Sequence, residues 1–272
     1  MNRLFLLVVF LIAPVAKTQQ LPPLQELLGR IYDFSARYTA TLPSVSCDES
    51  IVSQRVKKGK VKKTVRVEGT MREIRTEDSD DPFREQHDFK TANGKRIKNE
   101  LELQMPYFVQ GAFANMIGFR RRDLSDCFEY HLSWASDGKN VQLDISVKPF
   151  PEEPDDGRPR RHISICSEKV WQGSRWRVIA DPETGRILHN ERTITPENAN
   201  AHNEAYFAAM DYTSQQFGGR TLWLPSRFYT EDVGDKGRMY ANYSNCHRYT
   251  GEMRIMPDAE AGYPQIAPAK PQ

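Results

Sequence analysis

Strict alternation of apolar and polar residues constrains this chain most. Phe128, Tyr130, Leu132 and Trp134 alternate with Cys127, Glu129, His131 and Ser133. After an Asp137-Gly138 turn, Val141, Leu143, Ile145 and Val147 alternate with Gln142, Asp144, Ser146 and Lys148. A period of two marks a strand with one buried face, and two such runs around a Gly turn mark an antiparallel hairpin. A second strand–turn–strand unit spans Trp171 to Thr193. Trp176, Val178 and Ala180 share one face of its first arm. Asp181-Pro182-Glu183-Thr184-Gly185 is turn chemistry, with Pro182 fixing φ and Gly185 free to take φ > 0. The second arm, Arg186 to Ile194, is rich in β-formers but alternates poorly.

Further strands are predicted at Cys47–Val56, at 61–74 after the Lys57-Lys58-Gly59-Lys60 turn, and at 83–91 and 96–103 around Asn93-Gly94. Val61, Val65, Val67 and Met71 fall on one face. Gly69 on that face marks a bulge or a close approach, and Ile74, out of phase, suggests another bulge. Strands are also predicted at 161–170, 204–217, 220–233 and 238–250, giving roughly eleven to thirteen in all. Leu24, Leu27, Leu28, Ile31, Phe34 and Tyr38 recur at helical steps, predicting one amphipathic helix that ends near Pro43. The segment 105–119 breaks the pattern. It is almost uncharged and carries Tyr107, Phe108, Val109, Phe113, Met116 and Ile117. It reads as a short buried helix or an apolar flap, filling a core or lidding a lipid-sized cavity. The expected fold is mainly β (α+β): a curved antiparallel meander forming an unclosed β-barrel, with one or two helices filling its concave face.

Arg3 and the short apolar run 4–15 read as a secretory signal, cleaved after Ala16. The expected organisation is a signal peptide at 1–16, one domain at 17–256 and a loose Pro/Ala-rich tail at 257–272, in an exported, periplasmic or secreted protein. Four cysteines, none in a C-x-x-C pair, suit two disulfides. Of the three pairings, Cys47–Cys246 and Cys127–Cys166 are preferred. The first ties the start of the sheet to its end, and the second links neighbouring strands.

Candidate chemistry is sparse. His87, His131, His162, His189, His202 and His247 are scattered, and no Gly-x-Ser-x-Gly elbow or His-Glu-x-x-His spacing occurs. Asp181, Glu183 and Asp211 raise the possibility of paired acids, but a turn acid is usually a turn former. No catalytic residue, metal site or cofactor is assigned. Lys57, Lys58, Lys60, Lys62 and Lys63 lie on one hairpin with Arg55 and Arg66. They suit an anionic membrane surface or a protein partner, or simply a solvated tip. With no interleaved aromatics to stack bases, nucleic acid is not expected.

The export signal, the N-terminal helix, the long basic hairpin and the segment Trp176-Arg-Val-Ile-Ala-Asp-Pro-Glu-Thr-Gly-Arg-Ile-Leu-His189 together resemble the outer-membrane lipoprotein carrier superfamily (the LolA and LolB type). That superfamily includes periplasmic sigma-factor regulators. Gly219-Arg-Thr-Leu-Trp-Leu-Pro225 is similar to the strand that follows in such proteins. The resemblance implies a half-barrel plugged by helices and a hydrophobic cavity for acyl chains. The four cysteines and the longer, more basic first hairpin depart from the carriers. The leading expectation is a non-enzymatic exported protein that binds a lipid or lipoprotein acyl chain. Tyr107, Phe108, Val109, Phe113, Met116 and Ile117 are its candidate contacts. The alternative is a periplasmic interaction or sensor module using the basic hairpin, and the third reading is a hydrolase.

Overall fold

The computed structural model describes residues 20–76, 82–99, 103–115, 127–148, 174–195, 205–217, 219–232 and 237–250. The expected signal at 1–16, the expected strand at 161–170, Cys166, Met116, Ile117 and the tail from 257 lie outside them.

Helix α1 (Leu24–Thr41) starts after Pro23 and stops before Pro43. Its buried stripe is Leu27, Leu28, Ile31, Tyr32, Ser35 and Tyr38. Leu27 and Ile31 are completely buried, each stabilising the docked helix by about 1.5–3 kcal/mol.

Eleven strands form one antiparallel sheet. They are β1 (Val45–Lys57), β2 (Lys60–Arg75), β3 (Phe83–Ala92), β4 (Lys95–Arg96), β5 (Phe128–Trp134), β6 (Val141–Val147), β7 (Ser174–Ala180), β8 (Ile187–Ile194), β9 (Tyr206–Phe217), β10 (Arg220–Asp232) and β11 (Gly237–Arg248). The order across the sheet is β4-β3-β2-β1-β11-β10-β9-β8-β7-β6-β5. It is two meanders joined by one long-range pairing, β1 with β11, which runs from Val45↔Arg248 to Arg55↔Gly237. The sheet stays unclosed, with β4 and β5 as its edges. The fold is therefore mainly β, a curved antiparallel sheet with few helices.

The β1–β11 seam carries a bulge between Ser46 and Asp48, where Asn245 takes φ 48°. Cys47, fully buried, forms a disulfide there with Cys246. The start and end of the sheet are thus covalently tied, as their positions in the meander suggested. Cys127 is also disulfide-bonded.

Local details differ from the alternation pattern for identifiable reasons. The register between β2 and β3 slips opposite Gly69, with Glu68 paired to Thr91 and Gly69 to Phe89, so the extra residue is Lys90 on β3; Ile74 pairs regularly with Arg84 and marks no bulge. A Cβ on Gly69 would strike the backbone of Asp88, so the approach is close as well. Val61 is 47 % exposed, outside the core that takes Val65, Val67 and Met71. The Asn93-Gly94 turn forms, with φ of 50° and 74°, but the returning strand described is Lys95–Arg96, and of the expected 96–103 residues 97–99 and 103 are not strand while 100–102 lie outside the described residues. The poor alternation of β8 is a bulge: Ile179 pairs with His189 and Ala180 with Ile187, leaving Leu188 as the extra residue.

The turn between β7 and β8 seats the helix. Asp181 Oδ1 accepts the amides of Glu183 and Thr184, both at 2.9 Å. Arg30 on α1 donates to the Pro182 carbonyl at 2.6 Å. Gly185, at φ 69°, lies directly against the backbone of Arg30 and Ile31. Gly138 also has a positive φ, yet a Cβ there would meet nothing within 4 Å. Gly138→Ala is expected to cost about 1–2 kcal/mol from its left-handed backbone alone. Gly185→Ala adds a collision with α1 and should cost at least about twice that. Urea unfolding of the two variants measures the difference, and equal losses would show that the turn does not seat the helix.

Candidate functional site

The segment between β4 and β5 has to carry the chain from one edge of the sheet to the other, because those strands are the two edges. Residues 103–115 lie on this path, ending in the short helix α2 (Ala112–Asn115). They form a strap packed on the hydrophobic core.

Two polar anchors hold the strap. Ser53, on the inner face of β1, donates to the Tyr107 carbonyl at 2.6 Å, and its Oγ accepts the Tyr107 amide at 2.9 Å. Glu85, on β3, accepts the amides of Gly111 and Phe113 at 3.0 Å each, and its own carbonyl accepts from Gln110 at 2.9 Å. Its carboxylate thereby caps the start of α2, satisfying amides that have no partner within a helix.

Glu85 is itself held by a buried relay. His87 Nε2 lies 2.8 Å from Glu85 Oε1, and His87 Nδ1 lies 2.8 Å from Glu49 Oε2. The three side chains are between 1 % and 5 % exposed. Gly69, opposite both Glu49 and Phe89, puts no side chain on the strand between them. Phe108 packs edge-on against His87 and Phe89, with ring centroids 5.1 Å and 5.8 Å apart. Phe113 packs edge-on against Tyr243 at 5.1 Å.

Burial pulls the His87 imidazole toward neutrality, but hydrogen bonds and charge from Glu49 and Glu85 outweigh it and raise the ring to about 9. His87 is therefore an imidazolium at neutral pH, donating from both nitrogens. Burial pushes the Glu49 carboxyl up despite the pull of His87. Its second oxygen has no hydrogen-bond partner among the described residues. The Tyr243 hydroxyl is driven well above its ordinary value by burial and by the surrounding carboxylates of Glu49, Glu85 and Glu73.

This chemistry clamps; it offers no base to a substrate. Both His87 nitrogens are spent on carboxylates. The same holds for His189 on the outer face, between Asp211 at 2.6 Å and Glu191 at 3.0 Å. Asp211 also binds Arg227, and Asp181 is absorbed in its turn. Glu183, too, belongs to that turn. Among the described residues no group of three or more His, Cys, Asp or Glu side chains is placed to hold a metal ion.

Beside the anchors, the strap roofs an open cavity of about 430 Å³. Tyr107, Val109, Gln110, Gly111 and Ala112 form the roof. The floor is Arg192 of β8, Tyr206 and Ala208 of β9, and Phe228, Thr230 and Asp232 of β10. Arg192 lies 5.4 Å from the ring centres of both Trp176 and Tyr206 and donates to Ser174 at 3.2 Å. Burial lowers its guanidinium from the usual value.

Of the six apolar residues singled out in the sequence, the structure brings Tyr107 and Val109 to the cavity. Phe108 and Phe113 instead pack the strap onto the sheet. The five lysines of the basic hairpin are all exposed at its tip, away from this site. Sequence reasoning missed Glu49, Glu85, Ser53 and Arg192, and weighed His87 only as one of six scattered histidines. A signal for four of them was present: they are polar residues in phase with inward-facing Cys47 and Ile51, or Phe83 and Phe89.

The linkage has a definite sign. His87 and Glu49 are both raised in the folded state, so the native protein holds more protons than the unfolded chain and loses stability as pH rises. The His87 contribution is complete below its unfolded value near 6.5 and is gone above about 9. A loss on the order of 3 kcal/mol across that window is expected from urea unfolding. Amide-exchange protection at Gly111 and Phe113 should fall in step. His87→Gln should remove the His87 share of this pH dependence, leaving that of His189, which Asp211 and Glu191 raise against burial, and should destabilise the protein at pH 6.

The chain matches no protein-family model and no curated protein sequence. Among solved structures it is similar to a DUF1329 family protein from Desulfovibrio piger, at 12% identity and TM-score 0.43, covering 83% of this chain and 94% of that one. It is also similar to a putative outer membrane lipoprotein-sorting protein domain from Vibrio parahaemolyticus, at 11% identity and TM-score 0.46, covering 88% and 97%. A third is a LolA superfamily protein from Nitrosomonas europaea, at 12% identity and TM-score 0.32, covering 86% and 95%.

Proposed function

We propose that this is an exported, non-enzymatic binding protein that holds an apolar ligand, a lipid or an acyl chain, between the strap and the sheet. The observation that carries this reading is the cavity of about 430 Å³ under Tyr107 and Val109. Its size falls within the range of about 300–1,000 Å³ typical of small-molecule sites. Aromatic and aliphatic walls from Tyr107, Val109, Tyr206, Ala208 and Phe228 favour an apolar occupant, whose burial gains about 25 cal/mol per Å² without directional bonds. Export rests on the signal-like run at 1–16. The binding unit is then residues 17–256, with 257–272 as a tail.

Ala208 is buried on the cavity floor. Ala208→Phe should fill the space and weaken binding of a fluorescent fatty acid at least about tenfold, equivalent to about 1.4 kcal/mol, with an unchanged melting temperature. Native mass spectrometry of the full chain should show adducts of lipid mass that this variant loses. A protein that carries no lipid and binds no fatty-acid probe would sink the reading.

A further inference from the structure

The hairpin between β1 and β2 outruns its neighbours. Among the described residues, pairing of β1 with β11 ends at Arg55↔Gly237, and pairing of β2 with β3 begins at Val67. Past these pairings residues 57–64 run on as a two-stranded arm, its base held by buried Val56 and Val65 and by Arg66, which is hydrogen-bonded to Asn93 of the β3–β4 turn. The arm turns through Lys58 and Gly59 at φ 51° and 67°, the left-handed pair of a tight hairpin turn.

From Arg55 to Arg66 there are seven cations and no acid: Arg55, Lys57, Lys58, Lys60, Lys62, Lys63 and Arg66. Arg55 stands opposite Lys63, and Lys57 opposite Lys60. Like charges directly across a ladder repel, so this arrangement works against the hairpin's own stability. No ion pair among the described residues relieves it. The whole chain is only +2, so removing the +7 of residues 55–66 leaves −5 for the rest. The arm is thus an acid-free cationic projection, set against a formal −5 on the rest of the chain.

We propose that this arm docks the protein on the anionic headgroups of a lipid bilayer. Lys62 and Lys63 alternate, so charge lies on both faces of the ribbon. Five of the seven cations are lysines, compact charges on flexible stems and not the planar forks suited to fixed bidentate partners. Val61, 47 % exposed near the tip, adds an apolar contact. Such a distribution complements a diffuse negative surface better than a shaped pocket. The arm also springs from the strand that anchors the strap: Ser53, two residues before Arg55, binds Tyr107, which roofs the cavity. Docking through the arm brings that end of the cavity to the bilayer. The docking itself stands whether or not the cavity holds a lipid.

The test is co-sedimentation of the full chain with vesicles of phosphatidylcholine alone or mixed with phosphatidylglycerol. The pure phosphatidylcholine vesicles set the baseline for the apolar N-terminal run. Added phosphatidylglycerol should strengthen binding. Raising salt from about 0.1 M to about 1 M, which shortens the screening length from about 10 Å to about 3 Å, should abolish the gain. The combined variant K57E, K58E, K60E, K62E and K63E should lose at least about a hundredfold in affinity for the mixed vesicles. The matching five-Gln variant, which removes charge without reversing it, should also lose the gain, at unchanged or higher thermal stability. Equal wild-type binding to both vesicles, or full binding by the five-Gln variant, overturns the proposal. Equal vesicle binding together with salt-sensitive capture on poly-glutamate would assign the arm to an acidic polypeptide instead.

Discussion

The pairing of β1 with β11 organises everything else in the molecule. It joins two meanders into a single sheet and is locked by the Cys47–Cys246 disulfide at a bulge. Once that seam is made, β4 and β5 become the two edges of the sheet. The connection between them must then cross from one side to the other. The strap is thus a consequence of strand order, and its apolar residues are what a crossing segment over a concave apolar face requires. A cavity follows where the crossing segment spans β8 to β10 without filling the space beneath it.

The inner face is not uniformly apolar. Glu49, Glu73 and Glu85 are buried there, with His87 between two of them. Isolated carboxylates in that position would be costly, and a hydrophobic replacement of similar shape is often no less stable. What the charges supply is direction. Glu85 offers its two oxygens to the strap amides of Gly111 and Phe113, and His87 fixes the orientation of that carboxylate from behind. Apolar packing of Phe108 and Phe113 alone would hold the strap close to the sheet without setting its register.

Most of the sheet was legible from alternation. The hairpin 128–147, the helix from Leu24 and the Cys47–Cys246 tie all follow from local pattern or from position in the meander. Turns were legible where Gly or Asn had to adopt positive φ, as at Asn93-Gly94 and Gly185. The bulge at Leu188 blurred the pattern of β8, because one extra residue reverses which side chains point inward. Edge strand β4 is shorter than its pattern suggests, since among the described residues two of its positions, Lys95 and Arg96, are paired in the ladder to β3. The relay was obscured for a different reason: charged residues on a strand are ordinarily read as outward-facing. Only their phase with buried neighbours, Glu49 between Cys47 and Ile51, reveals the opposite.

The seam also fixes an order of assembly. Cys47 and Cys246 are separated by 199 residues, so β1 is synthesised long before β11 exists to cover it. Non-local pairings of this kind are slow to form, because the intervening loop has to be closed first. Until then the first meander presents the hydrogen-bonding edge of β1, a template for strands of other chains. A chain cut short before Gly237 would keep that edge permanently open. Synthesis of β11, and not any event in the first half of the chain, is the step that covers this edge and joins the two meanders into one sheet.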